Sequence, residues 1–153
     1  MVPAQESKFM LIGTYLGILS DRRRVAVPKK FINELGDNPI LAKWYEDCLI
    51  LVSSDFWENL STRLTGGKRA RDLGVRDIER FILGSAFEQK PDEQGRIIIP
   101  EILAEYAKFE KEICFVGLID RVEVWPKTVW DEKSTKLAQT TKEYIENLSK
   151  NEK

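Results

Sequence analysis

Apolar residues fall along the chain in short runs, mostly alternating or β-branched, which polar turns separate. The longest run, residues 9–19, is much shorter than the ~20 residues that a membrane-spanning helix needs. The arginine-rich segment after it lacks the small residues of a signal-peptide cleavage site. This run therefore predicts a β-strand and gives no membrane partner.

Two segments of the chain repeat one pattern. Residues 24–28 (Arg-Val-Ala-Val-Pro) and 96–100 (Arg-Ile-Ile-Ile-Pro) each lead from an arginine through three apolar residues to a proline. A helical pattern follows each proline, which suits the first position of a helix because its ring fixes φ. The apolar positions are Phe31, Ile32 and Leu35 before a stop at Gly36, and Ile102, Leu103 and Tyr106.

The two segments continue in the same order. Predicted strands at 39–42 and 113–116 are each followed by a second strand, at 48–52 and 121–125. A helix then begins in each half and carries a tryptophan, 33 positions after Arg24 (Trp57) and 34 after Arg96 (Trp130). We interpret both tryptophans as core anchors, and Trp44 and Tyr45 as partly exposed in a hairpin bend. Each half reads as strand, turn, strand, short helix, hairpin and helix.

One such unit of about 50 residues would bury too little apolar surface to fold alone. Two copies that share a core predict an α+β protein with an interlocked, barrel-like centre. We place the first repeat at 9–60, a connecting helix region at 61–83, the second repeat at 84–132 and a tail at 133–153. The connecting region predicts a turn at 65–67 and a helix over 68–83 that Gly74 interrupts. In the tail, a thin apolar stripe allows a helix (Leu137, Ile145, Leu148).

Composition limits the classes of partner, catalytic site and metal site that the chain can have. The 153 residues include 24 Lys and Arg against 25 Asp and Glu, so the net charge of −1 excludes a polycation but not a local basic patch. Histidine is absent, which excludes triads that use it and the commonest transition-metal ligand. Cys48 and Cys114 lie in apolar runs and predict buried, reduced thiols, with a disulfide as the alternative. No cofactor or metal is expected.

Residues 92–96 (Asp-Glu-Gln-Gly-Arg) have the pattern of a type I turn followed by a left-handed residue, because Asp comes first and Gly fourth. Asp92 can accept hydrogen bonds from the turn amides and also reach Arg96. A purely structural role in holding the hairpin is the alternative for this pair. Asp92 and Glu93 are the most plausible catalytic carboxylates, but a turn offers no visible pocket, so we expect no enzyme.

The equivalent turn of the first half is strongly basic. Across residues 21–30 five cations face one anion, Asp21, whereas residues 92–101 hold one arginine and three acids. A solvated surface is one interpretation, but three consecutive arginines repel one another unless an anion binds. Guanidinium groups match phosphate oxygens and guanine edges, and a two-stranded ribbon with a basic tip fits a major groove. The partner predicted is double-stranded DNA, and the candidate site comprises Arg22, Arg23, Arg24, Lys29, Lys30, Asp92 and Arg96.

A second basic stretch, residues 68–71 with Arg76, is diluted by neighbouring acids and predicts solvated helix surface.

These residues resemble the MraZ family, which regulates transcription of the bacterial division and cell-wall gene cluster and belongs to the AbrB-like swapped-hairpin superfamily. The resemblance covers about 9–130. It rests on the duplicated Asp-x-x-x-Arg turn followed by a β-branched strand and a proline, intact at 92–100. Residues 81–86 and 122–125 also look like the family's second half.

The resemblance implies a swapped-hairpin, double-psi-like β-barrel. It also implies a cytoplasmic, nucleoid-associated repressor that forms a ring and binds short direct repeats in its own promoter through Arg24 and Arg96. The first motif departs from the family, because Ser20 replaces Asp and Arg23 replaces Gly. We therefore expect a different first turn, and if Arg23 has φ > 0 it costs roughly 1–2 kcal/mol relative to Gly.

A different class of function stays open. An oligomeric protein-interaction module of the same fold, either a scaffold or a toxin-neutralising partner, would use the basic rim to dock an acidic protein.

Overall fold

The computed structural model describes residues 9–66 and 73–151, and the elements of its two halves follow one order. The first half contains β1 (Leu11–Ile18), β2 (Arg24–Ala26), α1 (Lys29–Leu35), β3 (Ile40–Lys43), β4 (Leu49–Val52) and α2 (Ser54–Thr65). After α3 (Leu73–Phe81), the second half contains β5 (Phe87–Glu88), β6 (Arg96–Ile98), α4 (Glu101–Ala107), β7 (Glu112–Ile119), β8 (Val122–Pro126) and α5 (Lys127–Asn151). The predicted succession of strands and helices is confirmed.

Each repeat proline was predicted at the first helical position, but it lies one position before the first residue of α1 or α4. Pro28 and Pro100 are the N-cap residues, with φ of −49° and −56°. The carbonyl of Pro28 accepts hydrogen bonds from two α1 amides, and that of Pro100 accepts two from α4. Their lack of an N–H costs nothing at this position. Gly36 ends α1 with φ 84°, as predicted.

Strand pairing joins the halves to each other. The large sheet has the order β1-β7-β8-β4-β3-β5, and β2 pairs with β6 in a separate two-stranded ribbon. The antiparallel pairs β1–β7, β3–β5, β4–β8 and β2–β6 all connect one half with the other. Exchanging equivalent strands (β1 with β5, β3 with β7, β4 with β8) gives the same order read from the opposite edge, so the topology has a pseudo-two-fold axis between β4 and β8.

The central core contains side chains from both halves, including Val25, Phe31, Leu51, Ile97 and Phe115, each at most 2% exposed. Neither half could bury this surface alone, as the repeat predicted. Two smaller clusters lie outside the central one. One lies beneath α2 (Ala42, Ile50, Val52, Phe56, Leu60), and the other consists of Cys48, Val116 and Trp125.

The tryptophans of α2 and α5 differ from the core anchors predicted. Trp57 packs half-buried against the cluster beneath α2, and Trp130 packs half-buried against Trp125, with ring centroids 5.9 Å apart. They cover the outer faces of the sheet because α2 and α5 pack on that side. Trp44 is half-buried and Tyr45 exposed, as predicted.

Both cysteines are buried free thiols, as predicted. Burial, as the main cause, strongly raises the pKa of Cys48 and also raises that of Cys114.

The helices α3 and α5 lie where the sequence predicted a helix in the connecting region and allowed one in the tail. The described part of the predicted helix over 68–83 is α3, and Gly74 lies in its first turn. Residues 67–71, with the end of the predicted turn and the basic stretch, lie outside the described residues. In α5 the stripe Leu137, Ile145 and Leu148 is exposed. No described helix is both long enough and apolar enough to cross a membrane.

Candidate nucleic-acid interface

The two repeat arginines lie on one exposed face of the β2–β6 ribbon. The register places Arg24 opposite Ile98, Val25 opposite Ile97 and Ala26 opposite Arg96. Because side chains alternate along a strand, the central pair points into the core, where both residues are 2% exposed. Arg24 and Arg96 point outward as diagonal neighbours, which places their Cα atoms roughly 7–8 Å apart.

This arrangement differs from the one expected from sequence. The expected ribbon was a local hairpin with basic residues at its tip, whereas each half contributes one strand and the arginines lie on the face. The turns 20–23 and 92–95 form its ends. Sequence reasoning missed Ala26 and Ile98, which lie on the same face, Ile98 opposite Arg24 and Ala26 opposite Arg96. The period-two pattern of buried Val25 and Ile97 was the available indication.

Asp92 organises the second turn around Arg96. Its Oδ1 accepts hydrogen bonds from the amides of Gln94 and Arg96, both at 2.9 Å, and its Oδ2 accepts one from Nε of Arg96 at 2.7 Å. Gly95 adopts φ 75°. The amide of Arg96 is the main cause that lowers the pKa of Asp92, with further contributions from the Arg96 side chain and the Gln94 amide. The predicted turn and Asp92–Arg96 contact are confirmed.

The expectation of a different first turn is wrong. The amide of Ser20 donates to the carbonyl of Arg24 and the amide of Arg23 donates to that of Ser20, both at 2.9 Å. The second turn has the same two bonds, at 3.0 and 2.9 Å. Ser20 Oγ accepts from the Arg24 amide at 3.0 Å, as Asp92 Oδ1 does from Arg96. A hydroxyl oxygen thus substitutes for the carboxylate in holding the backbone.

Arg23 takes the left-handed conformation of Gly95, with φ 59°. Such a backbone costs a residue other than glycine roughly 1–2 kcal/mol. A contact with the other half offsets part of this cost, because Nε of Arg23 donates to the carbonyl of Ile99 at 2.9 Å. The amide of Ile99 also donates to the carbonyl of Arg23 at 2.8 Å. Arg23 therefore ties the first turn to the second arginine strand.

Arg24 and Arg22 have no ion-pair partner among residues 9–66 and 73–151. Both are exposed. Ser20 occupies the place of Asp92 but cannot neutralise a guanidinium. Their charge is therefore available to an external anion.

The fold separates the five cations that the sequence places together. The first turn shares a groove with Glu101 and Glu105 of α4, whereas Lys29 of α1 lines a groove with the second turn. Lys30 follows Lys29 on α1 and is exposed. The first groove also contains Asp21 of the turn and Lys108 at the end of α4, whereas the second contains the turn acids Asp92 and Glu93. The cations are adjacent in the sequence but separated in the structure, because β2 carries the chain from one end of the ribbon to the other.

Arg76 of the second basic stretch lies half-buried on α3, and the rest of that stretch falls in the undescribed part of the chain.

Known proteins resemble this chain along most of its length. A family model described as "MraZ protein, putative antitoxin-like" matches residues 82–149. Proteins named transcriptional regulator MraZ match beyond that segment. The one from Caldanaerobacter subterraneus subsp. tengcongensis is 40% identical over 140 residues, which are 91% of this chain and 96% of that protein. The one from Oenococcus oeni is 34% identical over 144 residues, which are 92% and 97%.

The alignments with both relatives are long enough to take in the two arginine strands and both turns. With identities of 34–40% across nine-tenths of its residues, the chain belongs to the MraZ family.

Proposed function

We propose that the chain is a sequence-specific DNA-binding repressor of transcription that uses the outer face of the β2–β6 ribbon. The observation that carries this proposal is the pairing of the two strands, which places Arg24 beside Arg96 on one exposed surface. A two-stranded ribbon has the width to enter a major groove, where the two N–H donors of one guanidinium match the guanine edge. The relatives' name supports a role in transcription.

In this proposal the remaining candidate residues contact phosphates or hold the site. Arg22 and Arg24 on one side and Lys29 and Lys30 on the other face the DNA backbone, while Arg23 braces the first turn through Ile99. Asp92 is committed to Arg96 and its turn amides. We assign no catalytic role to any of these residues.

The proposal extends to architecture and assembly. Residues 9–60 and 84–132 form two AbrB-like repeats of a swapped-hairpin barrel, joined by 61–83 and followed by the tail 133–153. The pairing of β1 with β7 and of β5 with β3, each across the halves, supports this assignment. The protein acts in the cytoplasm at the nucleoid, as a ring on short direct repeats upstream of division and cell-wall genes.

Ring assembly suits a chain with a net charge of −1. A single ribbon neutralises few phosphates, whereas several ribbons on one rim bind together, with avidity gains of about 10²–10⁴ when the spacings match. In this proposal each subunit contributes four exposed cations from the first turn, β2 and α1 to these contacts, namely Arg22, Arg24, Lys29 and Lys30.

The test of this proposal begins with selection of bound fragments from random duplex DNA. Gel-shift titration then compares the parent with Arg24→Ala and with Arg80→Ala, an exposed α3 arginine paired with Asp77 at 3.1 Å. Arg24→Ala should weaken binding several-fold or more without changing the mass of the assembly, and Arg80→Ala should bind like the parent. Equal binding by Arg24→Ala and the parent would remove the ribbon from the site.

The family description also names an antitoxin-like character, which favours the second class of function, a toxin-neutralising partner. A protein that stays bound to the chain after nuclease treatment, and that Arg24→Ala releases, would support this class over DNA binding.

A further inference from the structure

The frame of the β2–β6 ribbon is nearly symmetric. Both turns close with the same backbone hydrogen bonds, and each is tied to the opposite strand, by Ile99 to Arg23 at 2.8 Å and by Val27 to Gly95 at 3.0 Å. If equivalent positions of the two strands and turns carried identical side chains, the ribbon would bind DNA equally well in either direction. The side chains therefore decide whether the site has a direction.

The two arginines are held differently. The Asp92 carboxylate holds Arg96 through Nε at 2.7 Å, and the terminal Nη groups of Arg96 have no hydrogen-bond partner within the described parts of the chain. Ser20 offers one neutral oxygen, which the Arg24 amide already uses at 3.0 Å. Arg24 has no carboxylate partner in the described parts of the chain, whereas the Asp92 carboxylate holds the guanidinium of Arg96.

The ends of the ribbon also differ in charge pattern. At the first turn, Arg22 is exposed, and its neighbours Asp21 and Arg23 share a groove with Glu101 and Glu105 of α4. At the second turn, Asp92 and Glu93 lie on the turn, and Lys29 of α1 supplies the positive charge. The exposed cations at the two ends of the ribbon thus belong to different elements, since Arg22 lies on a turn and Lys29 on a helix.

Resting on the DNA-binding function proposed above, we infer that each subunit lies on DNA in one fixed direction. Arg96, held by Asp92, donates from its two Nη groups to a guanine edge and reads sequence. Arg24 and Arg22 bind the phosphate backbone, and Asp92 is a positioning residue that acts through Arg96.

The variant Asp92→Asn separates this positioning role from the architecture of the turn. The amide oxygen of Asn still accepts from the Gln94 and Arg96 amides, but its NH₂ group meets the Nε–H of Arg96 with a second donor. Asp21→Asn is the matched control, since it removes the same charge from an exposed position of the other turn. Gel-shift titrations would use the duplex selected from random DNA and the same duplex with single guanines replaced.

We expect Asp92→Asn to lose discrimination between these duplexes by roughly tenfold, the scale of one bidentate base contact. Its binding to unrelated DNA should keep the parent's salt dependence, and Asp21→Asn should discriminate like the parent. Equal discrimination by the two variants would overturn the positioning role of Asp92.

Direction itself is measured with a DNA-cleaving iron chelate attached to a single introduced thiol. Asp21→Cys and Glu93→Cys place the chelate at equivalent positions of the two turns, while Cys48 and Cys114 are 0% and 5% exposed and stay unlabelled. The target is a duplex with one copy of the selected sequence. Each derivative should cut on one side only, and the two should cut on opposite sides.

Cutting on both sides by each derivative would overturn the fixed direction while DNA binding stands. Failure of the unlabelled parent to bind any selected duplex would instead overturn the proposed function. If a label blocks binding, the comparison of Asp92→Asn with Asp21→Asn still decides the role of Asp92.

Discussion

Arg23 combines a strained backbone with a compensating side-chain bond, and two variants separate these effects. Arg23→Gly removes the left-handed strain at φ 59° but loses the bond from Nε to the Ile99 carbonyl. Arg23→Ala loses the same bond and keeps the strain. We expect the free energy of unfolding of Arg23→Ala to be lower than that of Arg23→Gly by about 1 kcal/mol. Urea denaturation measures both, and an alanine variant as stable as the glycine variant would contradict the strain at this position.

The carboxyl of Asp92 makes the free energy of unfolding depend on pH, and the direction of this dependence follows from the pKa shift. The Arg96 amide, as the main cause, lowers the pKa of this group below 3.8 in the folded state. A lowered pKa stabilises the folded state at pH values above the ordinary pKa of the group. This contribution to stability is lost as the pH falls through the lowered pKa. The stability difference between the parent and Asp92→Asn should therefore be constant above about pH 5 and shrink in acid.

Denaturation midpoints of the parent and Asp92→Asn across this pH range measure the effect. NMR titration of the Asp92 carboxyl gives its pKa directly. A carboxyl that titrates at or above 3.8 would contradict the hydrogen-bonded geometry of the turn.

At the scale of elements, local patterns predicted most strands and helices. Alternation in 24–28 and 96–100 required a strand with one buried face, and the following prolines required helix starts, because both effects act within a few residues. The choice of partner for β2 could not be predicted in this way. It depends on Val25 and Ile97 meeting in a core that only the packed halves create.

The pairing of β1 with β7 depends on a close approach at Gly117. A Cβ added there would lie 2.6 Å from the carbonyl carbon of Leu11 and 2.7 Å from the amide nitrogen of Ile12, both backbone atoms. Gly117→Ala should therefore push the two strands apart and lower the free energy of unfolding by roughly 1–3 kcal/mol. Gly84→Ala is the control, since the nearest atom to its added Cβ is 3.8 Å away. Equal stability of the two variants in urea denaturation would contradict this packing.

At the scale of the whole molecule, the sequence indicated two halves with one shared core, and the structure adds how they interlock. In the described parts of the chain four strand pairs join the halves, so the arginine face exists only when both are folded. The sequence placed Lys29 with Arg22, whereas the fold places it beside Asp92 and Glu93. A charge count along the chain could not show this, because the ribbon carries the segment to its opposite end.

The proposed assembly makes DNA affinity depend on how many ribbons bind at once. A duplex with several copies of the selected sequence should bind more tightly than one with a single copy, by up to about 10²–10⁴-fold when the repeats match the spacing of subunits. Inserting about 5 base pairs between copies turns neighbouring sites to opposite sides of the helix, since one turn takes roughly 10–10.5 base pairs. That insertion should abolish most of the gain, whereas an insertion of one full turn tests the tolerance of the rim to spacing alone. Fluorescence anisotropy titrations at fixed salt measure all four duplexes. Affinity that is the same for one copy and for several would show that subunits bind independently and that the ring adds nothing to DNA binding.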